Sequence, residues 1–413
     1  MIKNKTLIQF IFFILVLSGI ITKCHRNEST GNDNALTILK EKKIKLRIDN
    51  PTETKPSSNF TDYFSLITQF KIQPDSTNPQ ISGLSKVLYD KQAGLIFILD
   101  RYLPGIFVFK DSGHFQNGIG QIGNGPAEYI TPEDICLLPN HRIAIAAGTL
   151  DKIIIFHYNG VFEKTYPLFI HTGKGKNPIS PELLCYIRGN FFIGTHPNVG
   201  GQYFIQKFSS RGNYLTGFHP LTFRLRWAPE VTKFPKVDGV TKNLLYFADR
   251  IQPKIYIYEI DGTLSNEYWM KPLHTAHIQL VHELDKRLKH RSSSRGIRIQ
   301  DIFSKLMYKT DHFEFVQVHS QYIYVEMVYR YLLFNRKGKC LFDLDLEPYK
   351  TGPQSVKYPN TSKFRFITGG ETAGGWSNGL IRCGFLPHKP SEPPSGIIQV
   401  SIYKYRPSDD SAS

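Results

Sequence analysis

Five times along the chain an aromatic or β-branched strand runs into a turn glycine a few residues later. Ile106–Phe109 leads to Gly113, Ile153–Phe156 to Gly160, Tyr203–Ile205 to Gly212, Ile255–Tyr258 to Gly262 and Tyr331–Phe334 to Gly338. Successive glycines are separated by 47, 52, 50 and 76 positions, by subtraction of their numbers. A repeat near fifty residues, with several short strands per unit, is the pattern of a β-propeller or related array. In such an array each unit buries its faces only against its neighbours, so 413 residues can form one ring rather than several domains.

The units read as four-stranded meanders. Blade 1 is expected at Leu84–Asp90, Gly94–Asp100, Gly105–Lys110 and His114–Gly120, and blade 2 at Asp134–Pro139, Arg142–Ala147, Lys152–His157 and Phe162–Leu168. Blade 3 is expected over 183–218, blade 4 over 232–270 and blade 5 from Phe313 to Leu346. The sixth shows only three strands, near Phe364–Thr368, Gly379–Phe385 and Ile397–Tyr403. The apolar stretch Asp62–Ile72 has the pattern to supply its outer strand, which would close the ring and leave no open edge there. The fold class is therefore all-β: a six-bladed β-propeller with an N-terminal strand closing the last blade. The long interval before Gly338 holds an insertion, 271–310, with helical spacing of Ile278, Val281, Leu284 and Leu288 and a run of basic residues from Lys286 to Arg298.

The N-terminus reads as a targeting segment. Lys3 and Lys5 precede an apolar stretch, Phe10–Ile21, too short to span a bilayer comfortably, so 1–23 is expected to be a signal peptide. Ile21-Thr22-Lys23-Cys24 then resembles a bacterial lipobox with Cys24 as the lipidated residue, although Lys23 stands where a small residue is usual. Residues 24–58 are expected to be a polar tether, with Lys40–Arg47 able to form a short strand or helix within it, 59–407 the propeller and 408–413 a disordered tail. Export permits disulfides. Cys136, Cys185, Cys340 and Cys383 nevertheless have no paired spacing, and the first two sit in apolar strand patterns that suit buried free thiols.

The formal charge of +16 implies attraction to anionic surfaces. For an exported chain that points to the envelope or an acidic glycan rather than nucleic acid.

The run Phe115 to Tyr129, continuing to Pro132-Glu133-Asp134, resembles the six-bladed propeller lipoproteins of Bacteroides-type bacteria, relatives of NHL-repeat propellers. Their first-blade exit reads approximately G-x-G-x-G-P-x-E-Y, matched by Gly120, Gly123, Gly125, Pro126, Glu128 and Tyr129. The Leu99-Asp100 strand ending and the Gly113-His114-Phe115 turn match as well. The resemblance covers about 60–405 and implies the fold and an envelope location, without one established activity.

Several chemical motifs fail on their context. Gly118-x-Gly120-x-x-Gly123 has the dinucleotide spacing, but Pro126 and a strand follow where a phosphate-binding helix must begin. His274, His277, His282 and His290 lack an HExxH pattern, and His282 lies off the face of the first pair. Ile260-Asp261-Gly262-Thr263 reads as a hairpin turn. No cofactor and no metal ligand set is expected.

Strand parity gives the better clue. Connections from the second to the third strand, and from one blade to the next, open on a single end of a ring of meanders. Asp100, Arg101 and Tyr102, Asp249 and Arg250, and the loop carrying Glu128 and Tyr129 should gather there as a ligand site. Asp100 and Asp249 equally suit turn capping, and Glu128 suits the amides of its glycine-rich loop. The sequence thus favours a non-catalytic, envelope-anchored monomer that binds a glycan, peptide or partner protein through its loop face. The alternative is a propeller hydrolase or lyase with an active site at the channel mouth.

Overall fold

The computed structural model describes residues 45–48, 63–73, 78–100, 104–172, 175–195, 203–220, 244–249, 254–270, 279, 282–283, 313–318, 322–327, 330–335, 338–345, 367–369, 379–385 and 397–406. Chain contacts divide the protein into Met1–Lys40, none of it described, and Glu41–Ser413, which holds every described strand. No helix among the described residues is long and apolar enough to cross a membrane. The expected insertion 271–310 lies outside the described residues except at Gln279, His282 and Glu283, which are helical.

Six sheets carry the repeat. Blade 1 orders Leu84–Asp90, Leu95–Asp100, Gly105–Lys110 and Phe115–Ile119 from the inside outward, each antiparallel to the next. Blades 2, 3 and 5 repeat this with Pro132–Leu138 to Phe162–Pro167, Pro181–Ile187 to Tyr214–Pro220, and Phe313–Val318 to Cys340–Asp345. Blade 6 is Ile367–Gly369, Gly379–Phe385 and Ile398–Tyr405, and its outer strand is the N-terminal Phe64–Ile72, paired antiparallel with Ile398–Tyr405. The expected ring closure is present.

The recurring glycine has a conformational reason. In all five turns the glycine N–H donates to the carbonyl three residues back: Gly113 to Lys110, Gly160 to His157, Gly212 to Ser209, Gly262 to Glu259 and Gly338 to Asn335, at 2.8–3.0 Å. The glycine φ values lie between 77° and 95°, and the register slips by one residue beside each turn. This is a tight turn closed by a left-handed glycine bulge, a conformation that costs any other L-residue steric strain.

The second and third strands are covered on both faces, which explains their unbroken apolar runs. In Leu95–Asp100 every residue is buried. Phe97 and Leu99 pack with Ile143 and Ile145 of blade 2, while Ile96 and Ile98 pack with Ile381 and Val400 of blade 6. Alternation continues around the ring, because successive strand residues point to opposite faces. Ala144 and Ile153 of blade 2 meet Phe191 and Ile193 of blade 3; Phe192 of blade 3 meets Leu245 and Phe247 of blade 4. Tyr246 and Ile257 of blade 4 meet Ile323 and Val325 of blade 5. Finally Tyr322 and Tyr324 of blade 5 meet Phe64, Leu380 and Tyr405 of blade 6. Each of the six apolar clusters thus joins one pair of neighbours, and together they close the circle.

Two features extend the sequence reading. Lys45–Ile48, inside the stretch expected as a tether, forms a strand parallel to Leu264–Met270 at the outer edge of blade 4. By the position of the Gly262 turn, the described blade-4 strands Leu244–Asp249, Lys254–Glu259 and Leu264–Met270 are its second, third and fourth, so Lys45–Ile48 lies outside the normal set. Residues 232–243, also assigned to this blade from the sequence, lie outside the described residues. A second addition is the hairpin Phe169–Thr172 with Gly175–Pro178, inserted between blades 2 and 3. Among the described residues Cys136, Cys185 and Cys383 are free thiols, and burial pushes all three well above the ordinary thiol range.

Candidate ligand-binding face

The meander brings the connections named above to one end of the ring. Asp100 and Asp249 end the second strands of blades 1 and 4, paired with Gly105 and Lys254 across the next connection. They therefore occupy equivalent positions three blades apart. Asp100 is fully buried and its Oδ2 accepts the Ser82 N–H at 2.6 Å, so it pins the connection entering blade 1. That is the capping role its turn position allows. Only the strand position of Asp249 is described, and Arg101, Tyr102 and Arg250 lie outside the described residues.

The loop after blade 1 is the best-defined part of this end. Gln121–Ile122 and Glu128–Tyr129 pair in parallel, with Gly123 N–H donating to the Tyr129 carbonyl. Tyr129 is buried and donates its hydroxyl to the Ile119 carbonyl at 2.7 Å, inside the loop rather than on the ligand-facing side where the sequence reading put it. Burial, countered by a backbone contact, raises its phenol to about 12. Gly120, at φ +71°, leaves room for that ring: a Cβ there would lie 2.6 Å from it.

Glu128 holds the loop's tip. Its carboxylate accepts the Gly125 N–H at 2.7 Å and the Gln121 amide at 2.6 Å. These bonds, led by the Gly125 amide, hold the carboxyl below its usual range. A Cβ at Gly123 (φ +158°) would fall 2.1 Å from a Glu128 oxygen, so any side chain there would have to displace the carboxylate from its bonds in the loop. Blade 2 braces the same tip from outside. Lys152 donates to the Gly125 carbonyl at 2.7 Å, and the Thr165 hydroxyl donates to the Pro126 carbonyl. Burial lowers the Lys152 ammonium pKa, and nearby Glu128 opposes that shift.

Beside the exposed Gln121 and Asn124, the brace leaves two large apolar side chains in solvent: Ile122, 63% exposed on the first strand of the pair, and Ile130, 40% exposed just after the second. A loop fixed by Gln121, Glu128, Tyr129, Lys152 and Thr165, with its acid consumed internally, presents Ile122 and Ile130 from a preorganised backbone.

Toward the inner strands, Lys86 of blade 1 reaches Asp134 of blade 2 at 2.5 Å, and the other Asp134 oxygen accepts the Leu184 N–H of blade 3 at 2.7 Å. This contact ties three innermost strands together; nothing in either residue's local sequence signals it. Between blades 2 and 3, Ser180 donates to the Gly148 carbonyl at 2.6 Å, and burial raises the Asp151 carboxyl pKa at a left-handed position of φ 50°. Among the described residues no three His, Cys, Asp or Glu side chains converge as a metal set would require.

The architecture recurs in solved structures. A protein of Bacteroides fragilis for which export has been suggested superposes with TM-score 0.59 at 11% identity, covering 88% of this chain and all of its own. A member of the DUF4221 family from Bacteroides vulgatus superposes with TM-score 0.51 at 9% identity, covering 84% of this chain and all of its own. At such identities the likeness is one of fold. No curated protein matches the sequence. Residues 40–365 match the model of a family described as a 6-bladed beta-propeller, from the N-terminal edge strand through blade 5, and the chain accordingly belongs to that family, DUF5128.

Proposed function

We propose that this propeller is a non-catalytic, envelope-anchored binding protein that takes an apolar peptide segment of a partner on its loop end. The observation carrying the reading is the braced exposure of Ile122 and Ile130. Gln121, Glu128, Lys152 and Thr165 hold the loop, yet two large apolar side chains stay exposed on it beside the polar Gln121 and Asn124. Burying an exposed isoleucine on binding contributes about 1.5–3 kcal/mol, and a prefixed loop loses little entropy on association. Asp249 and Arg250, with Arg101 and Tyr102, would supply the polar rim on the same end.

Attachment is proposed through lipid on Cys24 after removal of the preceding signal segment. The suggested export of the Bacteroides fragilis protein is in keeping with this location.

The test uses the full chain with Cys24→Ala on peptide and glycan arrays. Peptide hits weakened about tenfold by each of Ile122→Ser and Ile130→Ser would support the reading. A glycan hit indifferent to both changes but lost in Arg250→Ala would replace the peptide with a sugar. Turnover of an array ligand would favour the hydrolase or lyase alternative instead.

A further inference from the structure

The opposite end of the ring, formed by the tight turns, has its own chemistry. Lys91, Lys110, Arg188, Arg211, Lys339 and Arg406 are exposed on the described turns and strand ends there, against Asp111 and Asp261 as the exposed acids. Arg142, also at this end, is partly neutralised by Glu163 at 3.4 Å. Among the described residues, five of the seven exposed large apolar side chains lie at the rim of this same end: Phe162, Leu215, Leu66 and Ile67 on outer strands near the turns, and Val161 just before one of them. Basic charge and apolar side chains on one end suit an interface having phosphate above hydrocarbon.

We infer that the turn end docks on an anionic lipid bilayer, with its basic turns at headgroup phosphates and Val161, Phe162 and Leu215 at the acyl boundary. This orientation points the loop end away from the membrane. It stands whether or not the loop end binds peptide, and whether or not Cys24 carries lipid.

The test is vesicle sedimentation of the full chain carrying Cys24→Ala, using phosphatidylcholine with and without phosphatidylglycerol. The protein should prefer the anionic vesicles and lose that preference in high salt. Each basic residue near such a surface changes partitioning roughly fivefold, so Lys91→Glu, Arg188→Glu, Arg211→Glu and Lys339→Glu combined should weaken it by more than about a hundredfold. Val161→Ser with Leu215→Ser should weaken it about tenfold while leaving the salt dependence. Should the reversed-charge protein fail to fold, glutamine at the same four positions gives a smaller loss in the same direction. Equal binding to neutral and anionic vesicles would overturn the proposal. So would unchanged binding of the turn variants together with loss on reversing Lys286, Arg287, Lys289 and Arg291, or retention on an acidic polysaccharide without retention on vesicles.

Discussion

Lys86 and Asp134 lie on the innermost strands of adjacent blades and meet at 2.5 Å, with the Asp134 side chain 6% exposed and that of Lys86 28% exposed. Because Asp134 also accepts the Leu184 and Ile135 amides, one carboxylate organises the inner wall across three blades. Removing it would leave two backbone donors and an ammonium without this acceptor. Asp134→Ala is expected to cost about 3 kcal/mol, with Asp134→Asn costing less, because an amide oxygen still accepts one bond. Urea unfolding of the two variants checks this; equal and negligible losses would show the contact to be incidental.

Ring closure rests on Phe64. It is buried, with its ring 5.8 Å from Tyr322 and 5.6 Å from Tyr405, so one N-terminal side chain joins blades 5 and 6. Phe64→Ala should lower stability by about 3–5 kcal/mol, the usual cost of emptying an aromatic core position. Leu66→Ala, two residues on and 51% exposed, should change it by less than about 0.5 kcal/mol. Thermal melts of the pair provide the comparison.

The two ends of the sequence-to-structure argument were unequally legible. Blades 1 and 2 could be read almost strand for strand, because the unbroken apolar runs of Leu95–Asp100 and Lys152–His157 and the glycine bulges are local signals. The outer role of Phe64–Ile72 could be read from a missing strand. By contrast, a short strand near Lys45–Ile48 could be suspected, but its parallel pairing depends on an edge more than two hundred residues away that no local signal names. At the loop end, Glu128 and Tyr129 stood out through the Gly-Pro-x-Glu-Tyr pattern, yet their side chains turn inward. The outward Ile122 and Ile130 carry no motif. Lys86 and Asp134 acquire meaning only when blades are placed side by side.

Glycine conformation separates strain from collision. Gly120 (φ +71°) and Gly189 (φ +79°) both take left-handed backbone, but a Cβ at Gly120 strikes the Tyr129 ring while Gly189 has nothing within 4 Å. Gly189→Ala should cost about 1–2 kcal/mol, and Gly120→Ala distinctly more. Matched chemical denaturation measures the difference.

Acid should loosen the loop tip. Glu128 has its folded pKa depressed below 4.5, so its stabilising effect is fully present above the unfolded value and is lost as pH falls through the folded one. Hydrogen exchange at the Gly125 amide should therefore be slow at neutral pH and, after correction for intrinsic rates, become faster in acid below that range. In Glu128→Ala it should be fast at both. Protection unchanged by acid would mean that other contacts hold the tip.

The account turns on whether the braced loop is the recognition surface. The most direct measurement is the affinity of an array-selected peptide for the full chain carrying Cys24→Ala, compared with the same chain bearing Ile122→Ser and Ile130→Ser together. A loss of about a hundredfold, with the melting temperature unchanged, is the predicted result. Equal affinity in both proteins would contradict it.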